Sequence, residues 1–172
     1  ADIDIPIGDG QHMLAPKPVG RLLQAVAVKP GERALEIGTG TGYLAACLVH
    51  LGARVLSLEI DPGLAAEARE RLSAQGFGQA EVRVADGLVG PVEGGPFDVM
   101  VVTGSLPSED GLTGLRQQLT LGGRLFAVVG EAPAMAALLI TRVGTAEYRR
   151  ESLFETCIDP MANAAAPERF VF

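Results

Sequence analysis

Leu35-Glu36-Ile37-Gly38-Thr39-Gly40-Thr41-Gly42-Tyr43 is an apolar run that carries one acid and then opens into three alternating glycines. Glycine tolerates the left-handed backbone of a tight strand-to-helix turn and lets a ligand lie almost on the main chain. A helix beginning near Gly42 and running to about Leu51 would aim its unpaired first-turn amides at that ligand. The reading is therefore a strand, a ligand-cradling turn and a helix, the opening unit of an α/β sheet.

The surrounding residues extend this pattern. Pro18 to Val28 carries apolar residues at helical spacing and stops at Pro30-Gly31. Arg33 to Ile37 is the strand before the glycine turn, and Arg54 to Ile60 is a second, almost continuously apolar strand. Asp61-Pro62 opens a helix that runs to about Gln75, with Asp61 as N-cap and Glu67 and Arg71 as an i, i+4 pair. Strands follow at Glu81 to Ala85 and Phe97 to Thr103, then a helix over Leu112 to Leu119. Gly122-Gly123 leads into a strand from Arg124 to Val129. Ala136 to Val143 and Tyr148 to Ile158, joined at Gly144-Thr145, form an antiparallel hairpin. The expected fold is α/β, a Rossmann-like doubly wound sheet, mostly parallel with an antiparallel C-terminal hairpin. Residues 1–172 are expected to form one domain, with 1–16 as an extended N-terminal loop.

Composition narrows the function classes. The net charge of −7 and only two lysines, Lys17 and Lys29, argue against a nucleic-acid partner, whose phosphates need clustered cations. No apolar run approaches a membrane span, and no basic segment precedes an apolar one as in a secretory signal. Cys47 and Cys157 stand in no C-x-x-C pair, which points to reduced thiols in a cytoplasmic protein and to no metal site.

The glycines are spaced G-x-G-x-G rather than G-x-G-x-x-G, with the acid two residues before the first. That variant points to S-adenosyl-L-methionine, with S-adenosyl-L-homocysteine as product, and away from a dinucleotide. In open α/β sheets ligands lie beyond the carboxyl ends of the strands, where strand order reverses. Glu59, closing the second strand beside Ile60, can accept both ribose hydroxyls of such a ligand. Asp86, in Val84-Ala85-Asp86-Gly87, can accept from the adenine amino group, or simply begin an Asp-Gly turn. Glu36 can face the amino end of the methionine moiety, since burying a lone carboxylate is costly. Asp61 is explained by capping, and His50 by its place at a helix C-terminus. His12 reads either as a general base or as an exposed imidazole.

From Gly10 to about Phe154 the chain resembles the protein-L-isoaspartate O-methyltransferase family. Gly10-Gln11 followed by Pro16 is similar to the family's G-Q-T-I-S-x-P loop. Pro30 to Tyr43 is similar to its P-G-x-x-V-L-E-I-G-T-G-S-G-Y. Ser57 to Asp61, Val84 to Gly87, Pro96 to Thr103, Gly122 to Val129 and Arg149 to Phe154 resemble later family motifs.

The resemblance implies a class I methyltransferase whose cofactor is held by Glu36, Gly38, Thr39, Gly40, Thr41, Gly42, Glu59, Ile60, Asp86, Gly87 and Thr103. It implies that Gln11, His12 and Leu14 face the acceptor, an isoaspartyl peptide or protein, as does the loop from Thr103 to Pro107. An isoaspartyl carboxylate is ionised at pH 7, so alignment rather than a base would drive transfer.

Four departures stand out. His12-Met13-Leu14 replaces T-I-S, Thr103-Gly104-Ser105-Leu106-Pro107 replaces T-A-A-A-P, and the ending Phe170-Val171-Phe172 is unlike the family's. The family's N-terminal helical segment has no counterpart in these residues. Alternatives are the same chemistry on another acceptor such as a small molecule, or a cofactor-binding module without catalysis.

Overall fold

Ala34, Leu35, Ile37 and the run Val99 to Val102 are almost wholly buried, as expected of strands covered on both faces. They form the centre of a seven-stranded sheet in a computed structural model that describes Ile3, residues 5–8 and residues 10–164. The ending Phe170-Val171-Phe172 lies outside the described residues.

The chain begins with a two-stranded antiparallel ribbon, β1 (Ile5–Gly8) and β2 (Gln11–Met13), where the sequence predicts only an extended loop. Helix α1 (Pro16–Val26) follows, two residues earlier than its apolar spacing predicts. Its prolines sit in the first turn, where their missing donors cost nothing, and Ala27 ends it in a left-handed conformation (φ 43°). Then come β3 (Arg33–Ile37), α2 (Tyr43–His50), β4 (Arg54–Glu59), α3 (Pro62–Ala74), β5 (Glu81–Val84) and β6 (Phe97–Leu106). A 3-10 turn (Glu109–Leu112) and one helical turn, α4 (Thr113–Arg116), lead to β7 (Leu119–Glu131), β8 (Ala134–Arg142) and β9 (Tyr148–Thr156).

The strand order is β5-β4-β3-β6-β7-β8-β9. The first five are mutually parallel, and β7, β8 and β9 form an antiparallel meander, one strand pair more than the expected terminal hairpin. Two crossovers wind from β3 outward to β5; the chain then returns to β6 on the other side of β3. The strand order therefore reverses between β3 and β6, and a crevice opens at their carboxyl ends.

Three predicted elements differ in physical detail. The helix expected over Leu112 to Leu119 is a 3-10 turn plus four residues, because Leu119 already pairs with Phe97 in the sheet. Gly122-Gly123 lies inside β7 rather than before it: Phe97 faces Leu119 while Val99 faces Arg124, so the extra residues bulge. A Cβ on Gly123 would stand 2.8 Å from the Thr120 carbonyl oxygen. Thr103 to Leu106, expected as loop, continues β6 through a second bulge between Val101 and Ser105.

Alternation along the strands divides the core. One face packs Ala34, Val55, Val99 and Val101 under α1, α2 and α3, through Leu22, Leu44, Leu48 and Leu72. The other face packs Leu35, Ile37, Leu56 and Leu58 with Leu112 and Leu115 from the short helical segment, and with Leu88 and Val92 from the connection after β5.

Arg124 joins the helical layer to the sheet. Its guanidinium donates to both oxygens of Glu32 (2.7 and 2.9 Å) and to the Val26 and Ala27 carbonyls at the end of α1 (2.6 and 3.0 Å). It thereby caps that helix with a positive charge. Arg124 holds the Glu32 carboxyl below the usual carboxylate range. Arg124→Gln leaves Glu32 without its ion partner and frees two helix carbonyls; denaturant unfolding should report a loss of about 3 kcal/mol. Part of the Glu32 contribution is present above its unfolded pKa, so the gap between wild type and variant should narrow as pH falls through the carboxylate range.

Candidate active site

Parallel register places Glu36 of β3 directly beside Ser57 of β4, on the face covered by α1 to α3. Ser57 Oγ donates to Glu36 Oε2 at 2.5 Å and lies 2.5 Å from Thr39 Oγ1. Glu36 is fully buried, and its second oxygen, Oε1, has no hydrogen-bond partner among the described residues. Burial pushes its carboxyl up to about 8, against the Ser57 hydrogen bond and with the charge of Glu59 adding to the rise. An orphaned acceptor in the wall of a cleft suits a ligand that brings a donor.

The glycine turn runs over this group. Gly38, Gly40 and Gly42 have φ of 92°, 52° and 84°. A Cβ on Gly38 would collide with Thr103 Oγ1, which donates to the Gly38 and Ile37 carbonyls at 2.7 and 3.0 Å. Gly42 behaves differently. It is the N-cap of α2, a Cβ there would meet Leu72 Cγ at 3.2 Å, and it borders a second, apolar cavity between α2 and α3. Its glycine is required by helix packing and backbone angle, so the structure separates it from the ligand face on which the sequence grouped it.

Glu59, almost fully buried at the end of β4, accepts from the Gly40 amide at 2.8 Å and from the Asp61 amide at 3.1 Å. The Gly40 amide is thus turned inward onto an acid instead of outward to a ligand, a pairing the sequence did not reveal. Each carboxylate oxygen keeps a further acceptor position. Asp61 caps α3 through Leu64 N at 2.8 Å, as its Asp-Pro context predicts. Asp86 Oδ1 accepts from Leu88 N at 2.9 Å, which makes the Asp-Gly turn, and Oδ2 accepts from Asn163 Nδ2 at 3.0 Å. Gly87 packs so closely on Ile37 that a Cβ would lie 2.7 Å from Ile37 Cγ2.

These residues border one cleft of about 520 Å³, a volume typical of cofactor sites. Glu36, Gly38, Thr39, Gly40, Thr41, Glu59, Ile60, Asp86, Gly87 and Thr103 all line it. Gln11, His12 and Leu14 line the same cleft from the β2 side. His12 is exposed, and its Nδ1 lies 2.9 Å from Asp159 Oδ2, which also accepts the His12 amide at 2.7 Å. His50 lies apart, at the exposed end of α2.

The sequence reading missed the wall formed by residues 157–164. Asp159, Met161 and Asn163 line the cleft through long-range contacts that no local pattern signals. It also missed Ser57, a serine inside an apolar strand, which was the one available clue to a polar partner for Glu36.

The family model for Protein-L-isoaspartate(D-aspartate) O-methyltransferase matches residues 1–161. Protein-L-isoaspartate O-methyltransferase 2 of Marinobacter nauticus is 41% identical over 161 residues, 93% of this chain and 73% of the relative. The protein-L-isoaspartate O-methyltransferase of Methylorubrum populi is 41% identical over 150 residues, 86% of this chain and 68% of its own. Two solved structures share the fold. One, from Plasmodium falciparum, is described as a protein-L-isoaspartate O-methyltransferase in complex with S-adenosyl-L-homocysteine; its TM-score is 0.77 at 22% identity, over 93% of this chain and 80% of that one. Another protein-L-isoaspartate O-methyltransferase has a TM-score of 0.82 at 23% identity, over 95% of this chain and 53% of its own.

The raised Glu36 carboxyl has a direct test in the ligand-free protein. The folded state keeps a proton on Glu36 up to about pH 8, whereas the unfolded chain releases it near 4.5. Stability from this group is complete below the unfolded value and is lost as pH rises through the folded one. Glu36→Gln should abolish that decline, a difference of a few kcal/mol across the interval by the conversion of about 1.4 kcal/mol per pH unit. Urea midpoints of both proteins at pH 5, 7 and 9 measure it.

Proposed function

This chain belongs to the protein-L-isoaspartate(D-aspartate) O-methyltransferase family, and we propose that it transfers a methyl group from S-adenosyl-L-methionine to the carboxylate of isoaspartyl residues in damaged proteins. The observation that carries this reading is the gathering of Glu36, the glycine turn, Glu59, Asp86 and Thr103 in one cleft at the strand-order reversal, with the β2 loop opposite.

S-adenosyl-L-methionine supplies a methyl group on a positively charged sulfur. The residues of the chain bind and align. Glu59 uses its remaining acceptor positions for the ribose hydroxyls. Asp86 faces the adenine amino group, and Ile60 lies against the ring. Glu36 Oε1 receives the amino end of the methionine moiety, whose positive charge favours the ionised carboxylate. Thr103 fixes the floor by tying β6 to the Gly38 carbonyl. Gln11, His12 and Leu14 border the acceptor side. Proton removal from the acceptor is unnecessary, because an isoaspartyl carboxyl is ionised at neutral pH.

We assign the chain a single catalytic domain and protein substrates rather than nucleic acid or membrane, in keeping with its charge of −7. No helix among the described residues is long and apolar enough to cross a membrane. The free thiols of Cys47 and Cys157 support a reducing, cytoplasmic setting.

Incubation with S-adenosyl-L-methionine and an isoaspartyl peptide should yield base-labile methyl ester, with none from the matching aspartyl peptide. Cofactor binding without ester formation would transfer the proposal to a different acceptor. Glu59→Gln should weaken S-adenosyl-L-homocysteine binding tenfold or more, about 1.4 kcal/mol by calorimetry. Leu14→Ser, which restores the family's hydroxyl, should raise the rate of ester formation; an unchanged rate would show that this position does not govern the acceptor.

A further inference from the structure

The isoaspartyl reaction leaves one titratable pair in the cleft without a task. Asp159 Oδ2 accepts from the His12 amide at 2.7 Å and lies 2.9 Å from His12 Nδ1. An ionised carboxylate only accepts, so the ring nitrogen facing it carries a proton, and in the neutral imidazole Nε2 keeps its lone pair. Nε2 forms no hydrogen bond with the described residues, and both side chains line the cleft. Separate elements hold the two partners. His12 pairs with Pro6 across the β1–β2 ribbon, and the Asp159 carbonyl accepts the Ser105 amide of β6 at 2.8 Å. The imidazole is thus fixed in place and in tautomer, with its basic nitrogen free.

The surroundings of the pair are apolar. Leu14, just after His12, and Ile158, just before Asp159, pack in one cluster with Val19 and Met135, and all four line the cleft. A base beside such a wall suits an acceptor that must lose a proton to react and that is carried on an apolar body. An aliphatic hydroxyl is too weak an acid for imidazole to deprotonate effectively. A phenolic hydroxyl, with a pKa of about 10 like that of tyrosine, is neutral at pH 7 yet within reach of a positioned base.

We propose that the His12–Asp159 dyad gives this chain a second activity, O-methylation of phenolic hydroxyls, with His12 as general base and Asp159 positioning it. The proposal rests on the S-adenosyl-L-methionine reading above but not on the isoaspartyl acceptor. A lone pair of the phenol oxygen forms the bond to the methyl carbon, and the carbon–sulfur bond breaks with its electrons going to sulfur. The phenolic proton passes to His12 Nε2. The imidazolium keeps its Nδ1–H on Asp159, whose charge faces it, and then releases the proton to water. The products are an aryl methyl ether, S-adenosyl-L-homocysteine and one proton.

The ligand-free protein gives the first test. It has two histidines, so nitrogen NMR resolves the His12 ring; at pH 8 the proton should sit on Nδ1, and Asp159→Asn should lose that preference. Ether formation gives the second, with 4-methylphenol, neutral at pH 8, and 4-nitrophenol, already mostly anionic there. His12→Ala should lose roughly a hundredfold on 4-methylphenol and much less on 4-nitrophenol, and added imidazole should restore part of the first loss. Asp159→Asn should show the same pattern with a smaller loss. His12 is exposed, so its replacement leaves the core untouched, and melting temperatures check both variants. A tyrosyl peptide in the same assay tells whether the hydroxyl arrives on a polypeptide or on a small molecule.

A proton on Nε2 in the unaltered protein overturns the base. Equal losses on the two phenols in His12→Ala, or no loss, overturn it too, as does the absence of ether from all three acceptors. Calorimetry with S-adenosyl-L-homocysteine separates the causes. Failure of the unaltered protein to bind removes the cofactor reading and the dyad's activity with it; binding without ether removes only the phenolic activity.

Discussion

Everything at the site depends on one carboxylate that joins two strand ends. Glu59 closes β4 and accepts the amides of Gly40 and Asp61. The same side chain thus holds the glycine turn after β3 and the entry into α3. Backbone amides donated to a carboxylate are among the stronger hydrogen bonds available to a protein, and two of them fix the side chain in one orientation. With Glu59 fixed, the crevice between β3 and β6 has a rigid floor before any ligand arrives.

Beneath that floor lies a second acid with opposite properties. Glu36 is buried with one oxygen served by Ser57 and the other by none of the described residues. Neutral Glu36 is compatible with the empty fold; ionised Glu36 needs a cation. The two acids are coupled, since the charge on Glu59 contributes to the raised carboxyl of Glu36. The site therefore separates the task of shaping the turn from that of meeting a charged ligand.

Much of this was legible in the chain itself. The parallel strands read as apolar runs because both of their faces are covered, and α3 announced itself through Asp61-Pro62. The cleft residues were readable because an α/β sheet gathers its strand ends at a single edge. The signals that failed were of another kind. The β1–β2 ribbon has too few apolar residues for periodicity to register it. The bulges at Gly122-Gly123 and after Val101 are decided by strand register, a property of pairs rather than of one segment. Gly42 looked like its neighbours in the motif, yet it answers to Leu72 across a helix interface. Asp159 and Asn163 sit in an unpatterned tail, and only tertiary contact with His12 and Asp86 gives them meaning.

The sheet also has two ends, β5 and β9, each with one side that no strand among the described residues covers. β5 is four residues long and carries Glu81 and Arg83 as an ion pair. β9 carries Arg149, Arg150 and Glu151 in succession, all solvent-facing, with Arg150 tied to Glu109. Bringing either border against another copy of the chain would strip water from these charges and set like against like. Charged borders of this kind oppose edge-to-edge pairing with other copies, and none of Glu81, Arg83, Arg149, Arg150 and Glu151 lines the cleft.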